Sequence, residues 1–347
     1  MFSQLRLCKL AISQITPCFL AISFSLSAPL FPTPHFLPPA SAQTTDSRKA
    51  EADHLSKQGQ QLLNSGRVKE SISVFEAALK LYRSINDRAQ EGAVLGILGS
   101  AYDSLEQFAK ALTFYQQAAE TFRQVGDRKS EGMALTFAGR AYADIGQLAR
   151  SIETAQAALV ITRQNGDLML QVTNLSNIGG VYTRWGQYAK AAEFLEASLK
   201  LARQVYPNAG GMILLNLGSV YENLGQYPKA LEAYQQALDG FQRIGARWQA
   251  GMTLTLMGLI YTKQSQYARA LNTHQQALQM VQQGNYRTGE GAIFSNIGDV
   301  YHQLGQSTKA LEFYERSLKI AQQIHNREGE SMTLNNMGNA YMTLQPT

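Results

Sequence analysis

From Glu51 onward, apolar side chains recur at the three- and four-residue spacing of a single helix face, interrupted at short intervals by polar or glycine-bearing turns. The stretch Asn216 to Leu238, NLGSVYENLGQYPKALEAYQQAL, shows the arrangement. Leu214, Leu217, Gly218 and Tyr221 share one face, Leu224-Gly225-Gln226-Tyr227 breaks the pattern, and Ala230, Leu231, Tyr234, Ala237 and Leu238 form a second face. The pattern predicts two antiparallel helices joined by a tight turn. Gly225 suits a left-handed cap, and Pro228 suits the first turn of the helix that follows.

The same pattern returns along the chain. Aligned on one glycine, the units read Gly59, Gly99, Gly139, Gly179, Gly218, Gly258, Gly298 and Gly338, with steps of 40, 40, 40, 39, 40, 40 and 40 residues. Three residues on stands Leu62 in the first unit and then Tyr102, Tyr142, Tyr182, Tyr221, Tyr261, Tyr301 and Tyr341. Small residues follow at two further places, Ala111, Ala191, Ala230 and Ala270 among the first set and Ala118, Ala158, Ala237 and Ala277 among the second. Units 51–90, 91–130, 131–170, 171–209, 210–249, 250–289 and 290–329 are complete, and 330–347 is half a unit. The turn glycine recurs at Gly66, Gly146, Gly186 and Gly305, while Glu106 and Ser265 replace it in two units, where a weaker cap is expected. Gly126-Asp127-Arg128 and Asn165-Gly166-Asp167 supply turns back between units.

Small side chains set how closely two helices approach. Gly218, Ala230 and Ala237 are therefore read as contact points, with Tyr221 filling the wider space beside them. One such hairpin cannot cover both of its apolar faces, and stacking like neighbours at a fixed period buries them. The fold class expected is all-α, a solenoid of stacked helix-turn-helix units.

Composition adds a compartment to this picture. The chain is 45% hydrophobic and 16% charged, enough for a sizeable core. Ahead of the repeats, Arg6 and Lys9 precede an apolar run from about Cys18 to Phe31, and Ala40-Ser41-Ala42 follows. Positive charge, a short apolar core and an A-x-A site form the pattern of a secretory signal peptide, with cleavage expected after Ala42 and a linker over 43–50. The alternative is an uncleaved anchor, but Pro29 interrupts the run and it falls short of the ~20 residues that span a bilayer. Cleavage would remove both cysteines, Cys8 and Cys18, and would lower the net charge from +5 to +3 through loss of Arg6 and Lys9. A near-neutral, evenly spread charge gives no basic stripe for nucleic acid. The expected location is periplasmic or extracellular.

Glycine, tyrosine, alanine, aromatic and alanine at these offsets resemble the tetratricopeptide repeat over nearly all of the chain after residue 50. The usual unit is about 34 residues, and the longer unit here is similar to that of kinesin light chains, polarity adaptors and many bacterial signalling proteins. The resemblance implies a right-handed superhelix whose first helices line a concave groove that holds a peptide or a partner helix. It implies no reaction and no cofactor. A second resemblance, to exported bacterial arrays that precede a caspase-like CHAT domain, rests on the forty-residue units and the Gly126-Asp127-Arg128 type of turn.

Groove-facing positions lie on the first helix away from the glycine and tyrosine. In the fifth unit these are Met212, Asn216, Ser219 and Asn223, one helical stripe. The corresponding stripes are Thr173, Asn177, Gly180 and Arg184; Ala292, Asn296, Asp299 and Gln303; and Met332, Asn336, Asn339 and Thr343. An amide both donates and accepts, so Asn177, Asn216, Asn296 and Asn336 suit a peptide backbone; the other reading is that they are tolerated solvent-facing residues. Phe137, Leu256 and Leu259 stand at equivalent places and either form pockets for a partner's side chains or pack on a neighbouring helix. Arg140, Arg184 and Lys263 add positive charge that would favour acidic partners. A lysine and asparagine clamp for a terminal carboxylate is disfavoured, because Gly96, Thr136, Ser176, Leu215, Thr255, Ser295 and Asn335 stand where its first lysine belongs.

Nothing in the chain points to catalysis. After residue 42 the histidines are His54, His274, His302 and His325, and none share the i, i+4 spacing of a helical metal pair. His274 takes the place held by Tyr115, Tyr234 and Tyr314 in other units and reads as a packed imidazole. HExxH, G-x-S-x-G and a phosphate-binding glycine loop are absent, and Glu222 and Asp299 fall in different units. The sequence therefore describes an exported, non-enzymatic scaffold or adaptor that binds a protein or peptide. The alternative is the sensing arm of a larger CHAT protein.

Overall fold

A computed structural model of the chain describes residues 40–205 and 210–344. Of the signal-peptide pattern over residues 1–42, residues 1–39 lie outside the described residues, and Ala40-Ser41-Ala42 stand at the start of the first described helix. The described residues form helices: α1 Ala40–Asn64, α2 Val68–Ser84, α3 Arg88–Ser104, α4 Phe108–Val125, α5 Arg128–Asp144, α6 Leu148–Gln164, α7 Leu168–Arg184, α8 Tyr188–Val205, α9 Gly211–Asn223, α10 Tyr227–Arg243, α11 Arg247–Lys263, α12 Tyr267–Gln283, α13 Arg287–Gln303, α14 Ser307–Gln323 and α15 Arg327–Met342. Successive helices pair as antiparallel hairpins, so the architecture is an all-α solenoid. Helix α1 runs through 43–50, where the sequence suggested a linker, and that segment is continuous with the first helix of the first hairpin.

Two compact units divide at Leu170, in the first turn of α7. The first unit holds hairpins α1/α2, α3/α4 and α5/α6. Its core gathers Phe75, Leu79, Tyr82, Leu95, Leu98 and Phe122 in one cluster and Leu112, Tyr115 and Ala138 in another. The second unit holds α9/α10, α11/α12, α13/α14 and α15, with most of α7 and α8. Its core runs from Leu195 through Leu217, Tyr234, Leu254, Ile260 and Ile297.

The repeated glycine has a specific partner. A Cβ on Gly218 would lie 2.3 Å from the ring of Tyr234, one on Gly99 2.6 Å from Tyr115 and one on Gly298 2.5 Å from Tyr314. Gly59 meets Phe75 in the same way, Gly258 meets His274, and Gly179 meets Leu195. The glycine therefore makes room for a large side chain of the second helix rather than letting two backbones touch, which corrects the simple contact-point reading of Gly218. In the third hairpin alone the partner is small. Gly139 faces Ala155, whose backbone nitrogen lies 3.3 Å from the Cβ position. A second glycine seven residues earlier does the same for the next row, with Gly92 against Phe122, Gly132 against Ile161, Gly211 against Phe241 and Gly251 against Val281.

Ala111, Ala118, Ala230 and Ala237 are completely buried between helices. The repeated tyrosines lie flat on aromatics of the second helix: Tyr102 on Phe114 at 5.3 Å, Tyr182 on Phe194 at 5.5 Å and Tyr301 on Phe313 at 5.3 Å between ring centres. Lys110, Lys190 and Lys309 hold their ammonium groups 5.1 to 5.5 Å over the same tyrosines. Turns close as the sequence requires. Gly225 has φ +72°, and its neighbour Gln226 donates its N–H to the Tyr221 carbonyl at 2.8 Å. Glu106 and Ser265 hold the same left-handed conformation, φ +58° and +57°, which costs a side-chain-bearing residue about 1 kcal/mol.

Between hairpins, buried glutamates tie the end of one to the start of the next. Glu91, 3% exposed, accepts from Arg83 and Arg88, both at 2.8 Å. Glu131, 1% exposed, accepts from Arg123 at 3.0 Å and Arg128 at 2.6 Å. In the second unit, Glu290 is paired with Arg287 and takes the amide of Gln282 at 2.9 Å.

Candidate functional site

The glycine-and-ring packing fixes one side of each first helix and leaves the stripe beside it to vary. In the first unit that stripe is occupied by internal contacts. Phe137 of α5 is half-buried and stacks on Tyr115 at 5.5 Å. Arg140, one turn further on, lies 5.5 Å over the Phe137 ring and pairs with Asp103 of α3. Burial pushes the Asp103 carboxyl up, and the Arg140 guanidinium opposes that rise. Phe137 is thus partly used in packing, and the positive charge of Arg140, expected to be available for acidic partners, is neutralised within the unit.

The second unit carries most of the residues singled out from the sequence. Asn216 and Ser219 of α9 are half-buried, while Asn223 is exposed and donates its Nδ2 to the Ser219 carbonyl at 2.7 Å. Glu222 accepts from the Tyr234 hydroxyl at 3.3 Å and pairs with Lys263 of α11, so Lys263 too is matched internally. Leu256 and Leu259 are half-buried, and Leu256 packs on the core. Arg184 and Asn339 are exposed. Asn177 is half-buried, with its Nδ2 buried and without a hydrogen-bond partner.

On α13 and α15 the predicted residues come together. Asp299 Oδ1 accepts the Tyr314 hydroxyl at 2.7 Å and the Nδ2 of Asn336 at 3.1 Å. Asn336 also donates to Ser295 Oγ at 3.4 Å, so this amide is engaged inside the unit rather than left open to solvent. Asn296 is 9% exposed. Burial pushes the Asp299 carboxyl up to about 6, against the lowering effect of the Tyr314 hydrogen bond and the nearby His302.

His274 is fully buried against Gly258, and neither ring nitrogen has a hydrogen-bond partner. Burial holds its pKa down to about 4. Among the described residues no group of histidines and carboxylates could hold a metal ion, and no helix is long and apolar enough to cross a membrane. Several working residues escaped the sequence reading: Asp103, Tyr314 as a donor to Asp299, and the bridging glutamates Glu91, Glu131 and Glu290. The glutamates had a detectable signal, since each immediately precedes the second glycine of its helix.

The family model for the tetratricopeptide repeat matches residues 50–124, 130–204, 211–283 and 290–345. No curated protein matches the sequence. Among solved structures, BtubC (BKLC) from P. vanneervenii is similar at 21% identity and a TM-score of 0.57, over 63% of this chain and 92% of its own. The apo form of RapI is similar at 16% identity and a TM-score of 0.63, over 79% of this chain and 99% of its own. The Rap conjugation gene regulator of the plasmid pLS20, in complex with the Phr* peptide, is similar at 17% identity and a TM-score of 0.52, over 77% of this chain and 72% of its own.

Proposed function

The chain belongs to the tetratricopeptide repeat family, and from that premise we propose that it is a non-enzymatic scaffold that holds a peptide or partner helix on the first-helix faces of its second unit. One observation carries the reading. Asn216, Ser219 and Leu259 are half-buried beside glycine-and-ring contacts that do not include them, while Leu256, also half-buried, packs on the core and Asp299 accepts the Tyr314 hydroxyl. An amide and a hydroxyl on α9, aliphatic side chains on α11 and a carboxylate on α13, at corresponding places of these first helices, match a ligand with both a backbone and side chains to place. The peptide carried by the pLS20 Rap regulator, a protein of the same fold, supports the same class of ligand.

Replacing Asn177, Asn216 and Asn296 together by alanine removes two half-buried amides and the buried Asn296; it is expected to cost about 1 to 2 kcal/mol of stability and, with the chain still folded, to weaken capture of peptides from a random nonapeptide library. Undiminished capture would refute the assignment.

The proposal includes export. The ordered basic, apolar and A-x-A segments support removal of residues 1–42 and a periplasmic or extracellular location. Protein purified from its producer should begin at Gln43 by mass measurement, and an intact N-terminus would rule export by this route out. The forty-residue units favour one other reading, the sensing arm of a CHAT protein. A continuing frame beyond the Thr347 codon that encodes a His and Cys domain would support it, and an in-frame stop would remove it.

A further inference from the structure

Carboxylates on the first helices meet different partners. Asp103 is paired with Arg140 of the next first helix, and Glu222 with Lys263 of the next. Asp299 stands one turn earlier on its helix, one residue after its glycine rather than four, where His302 takes the place of Asp103 and Glu222; it meets the Tyr314 hydroxyl and the Asn336 amide, neither of them a cation. His302, one turn along, has its Nδ1 turned to Ser307 Oγ at 3.4 Å. Among the described residues no lysine, arginine or histidine forms an ion pair with Asp299.

The surroundings extend the contrast. Helix α11 lies against α13, and Leu256 and Leu259 occupy on α11 the places that Asn296 and Asp299 occupy on α13. A half-buried carboxylate bonded to one amide, on a helix that lies against the one carrying two half-buried leucines at corresponding places, matches the anatomy of a long basic side chain. Such a side chain lays its stem on apolar surface and presents its charged head to an acceptor. A carboxylate held half-buried without a cation costs folding stability, and a residue kept at such a cost is a candidate for function.

We propose that Asp299 is the counter-charge for a lysine or arginine side chain of the bound peptide, so that α11, α13 and α15 select ligands carrying that charge. This rests on the peptide-binding reading above and adds the chemistry of one recognised group.

The test selects random displayed nonapeptides on the purified chain, on its Asp299→Asn variant and on the triple asparagine variant. Wild-type selections should be enriched in lysine or arginine at one position. Changing that residue to glutamine in a selected peptide should weaken binding on the order of tenfold or more, and the same change should have no effect on binding to D299N. Selected peptides that lack a basic residue, yet lose affinity for the triple asparagine variant, would overturn this inference and leave the groove reading intact. A basic preference that persists in D299N would also overturn it. Failure to select any peptide, or peptides indifferent to both variants, would overturn the two readings together. The residue composition of the wild-type selections decides the matter even if D299N folds poorly.

Discussion

The two units share one packing device, and each closes an inner carboxylate with a cation of the next first helix, Asp103 with Arg140 and Glu222 with Lys263, but the second unit also carries one that is not so closed. In the first, Tyr115 fills the space above Gly99 and the nearby Asp103 is closed off by Arg140, which also covers Phe137. In the second, Tyr314 fills the space above Gly298 in the same manner, but the acid beside it, Asp299, is met by a phenol and an amide. The scaffold leaves both outcomes open, because the contact between glycine and ring sets the helix spacing whichever residue of the adjacent stripe then meets the ring, Phe137 in one case and Asp299 in the other. Binding chemistry can therefore change from hairpin to hairpin while the core stays constant.

The largest effect should be common to both units. Leucine at Gly99 or at Gly218 drives a side chain into a tyrosine ring and should cost about 3 kcal/mol in either place, read as a lower denaturation midpoint. If only one substitution is felt, the packing device is not shared.

Acid should then separate the units. Buried His274 stays neutral down to about pH 4, whereas an unfolded chain takes up that proton near 6.5. At this site the unfolded state therefore binds more protons between those values, and the His274 contribution to stability should fall by up to about 1.4 kcal/mol per pH unit as the pH drops through that window. Phe75 and Tyr115, in the corresponding places of the first unit, take up no proton there. Because Asp299 shifts stability the other way over the same window, the effect is read by chemical denaturation at pH 6.5 and 5 as the difference between the chain and its His274→Phe variant, a relative loss of about 1.6 kcal/mol.

A smaller and opposite pair of effects concerns the carboxylates. Asp103→Asn leaves Arg140 without its anion and should lower stability by about 1 to 2 kcal/mol. The Asp299 carboxyl, pushed up to about 6, binds its proton more tightly folded than unfolded. Its contribution is thus greatest below about pH 4, declines as pH rises towards 6, and is unfavourable at 7. Asp299→Asn should accordingly raise stability at pH 7 by about 1 kcal/mol. Equal signs for the two variants would erase the contrast between the two carboxylates.

The period and the hairpins were legible because both are spacings within one chain. Gly225 and Pro228 marked a turn, and Gly218 with Tyr221 marked a helix face, without any long-range information. What Gly218 faces was not legible, because Tyr234 reaches it across the hairpin and could as well have been assigned to a neighbour. The partners of Arg140, Lys263 and Asn336 were hidden for a related reason. Arg140 stands one residue after its glycine and meets an acid four after the preceding one, while Asn336 stands two before its glycine and meets an acid one after. Aligning units column by column cannot display contacts that run between columns. Helix α1 passed through 43–50 unnoticed because that polar segment lacks an apolar stripe.

The buried glutamates differ in redundancy. Glu131 is held by Arg123 and by Arg128, so loss of either guanidinium leaves the acid a counter-ion, and only loss of both strands it. Glu91 enjoys the same insurance from Arg83 and Arg88. Glu290 has Arg287 and, in the second seat, the neutral amide of Gln282, so a single substitution is enough to orphan its charge. Mutational robustness is therefore unevenly distributed: drift at one arginine is tolerated in the first unit and exposed to selection at once in the second.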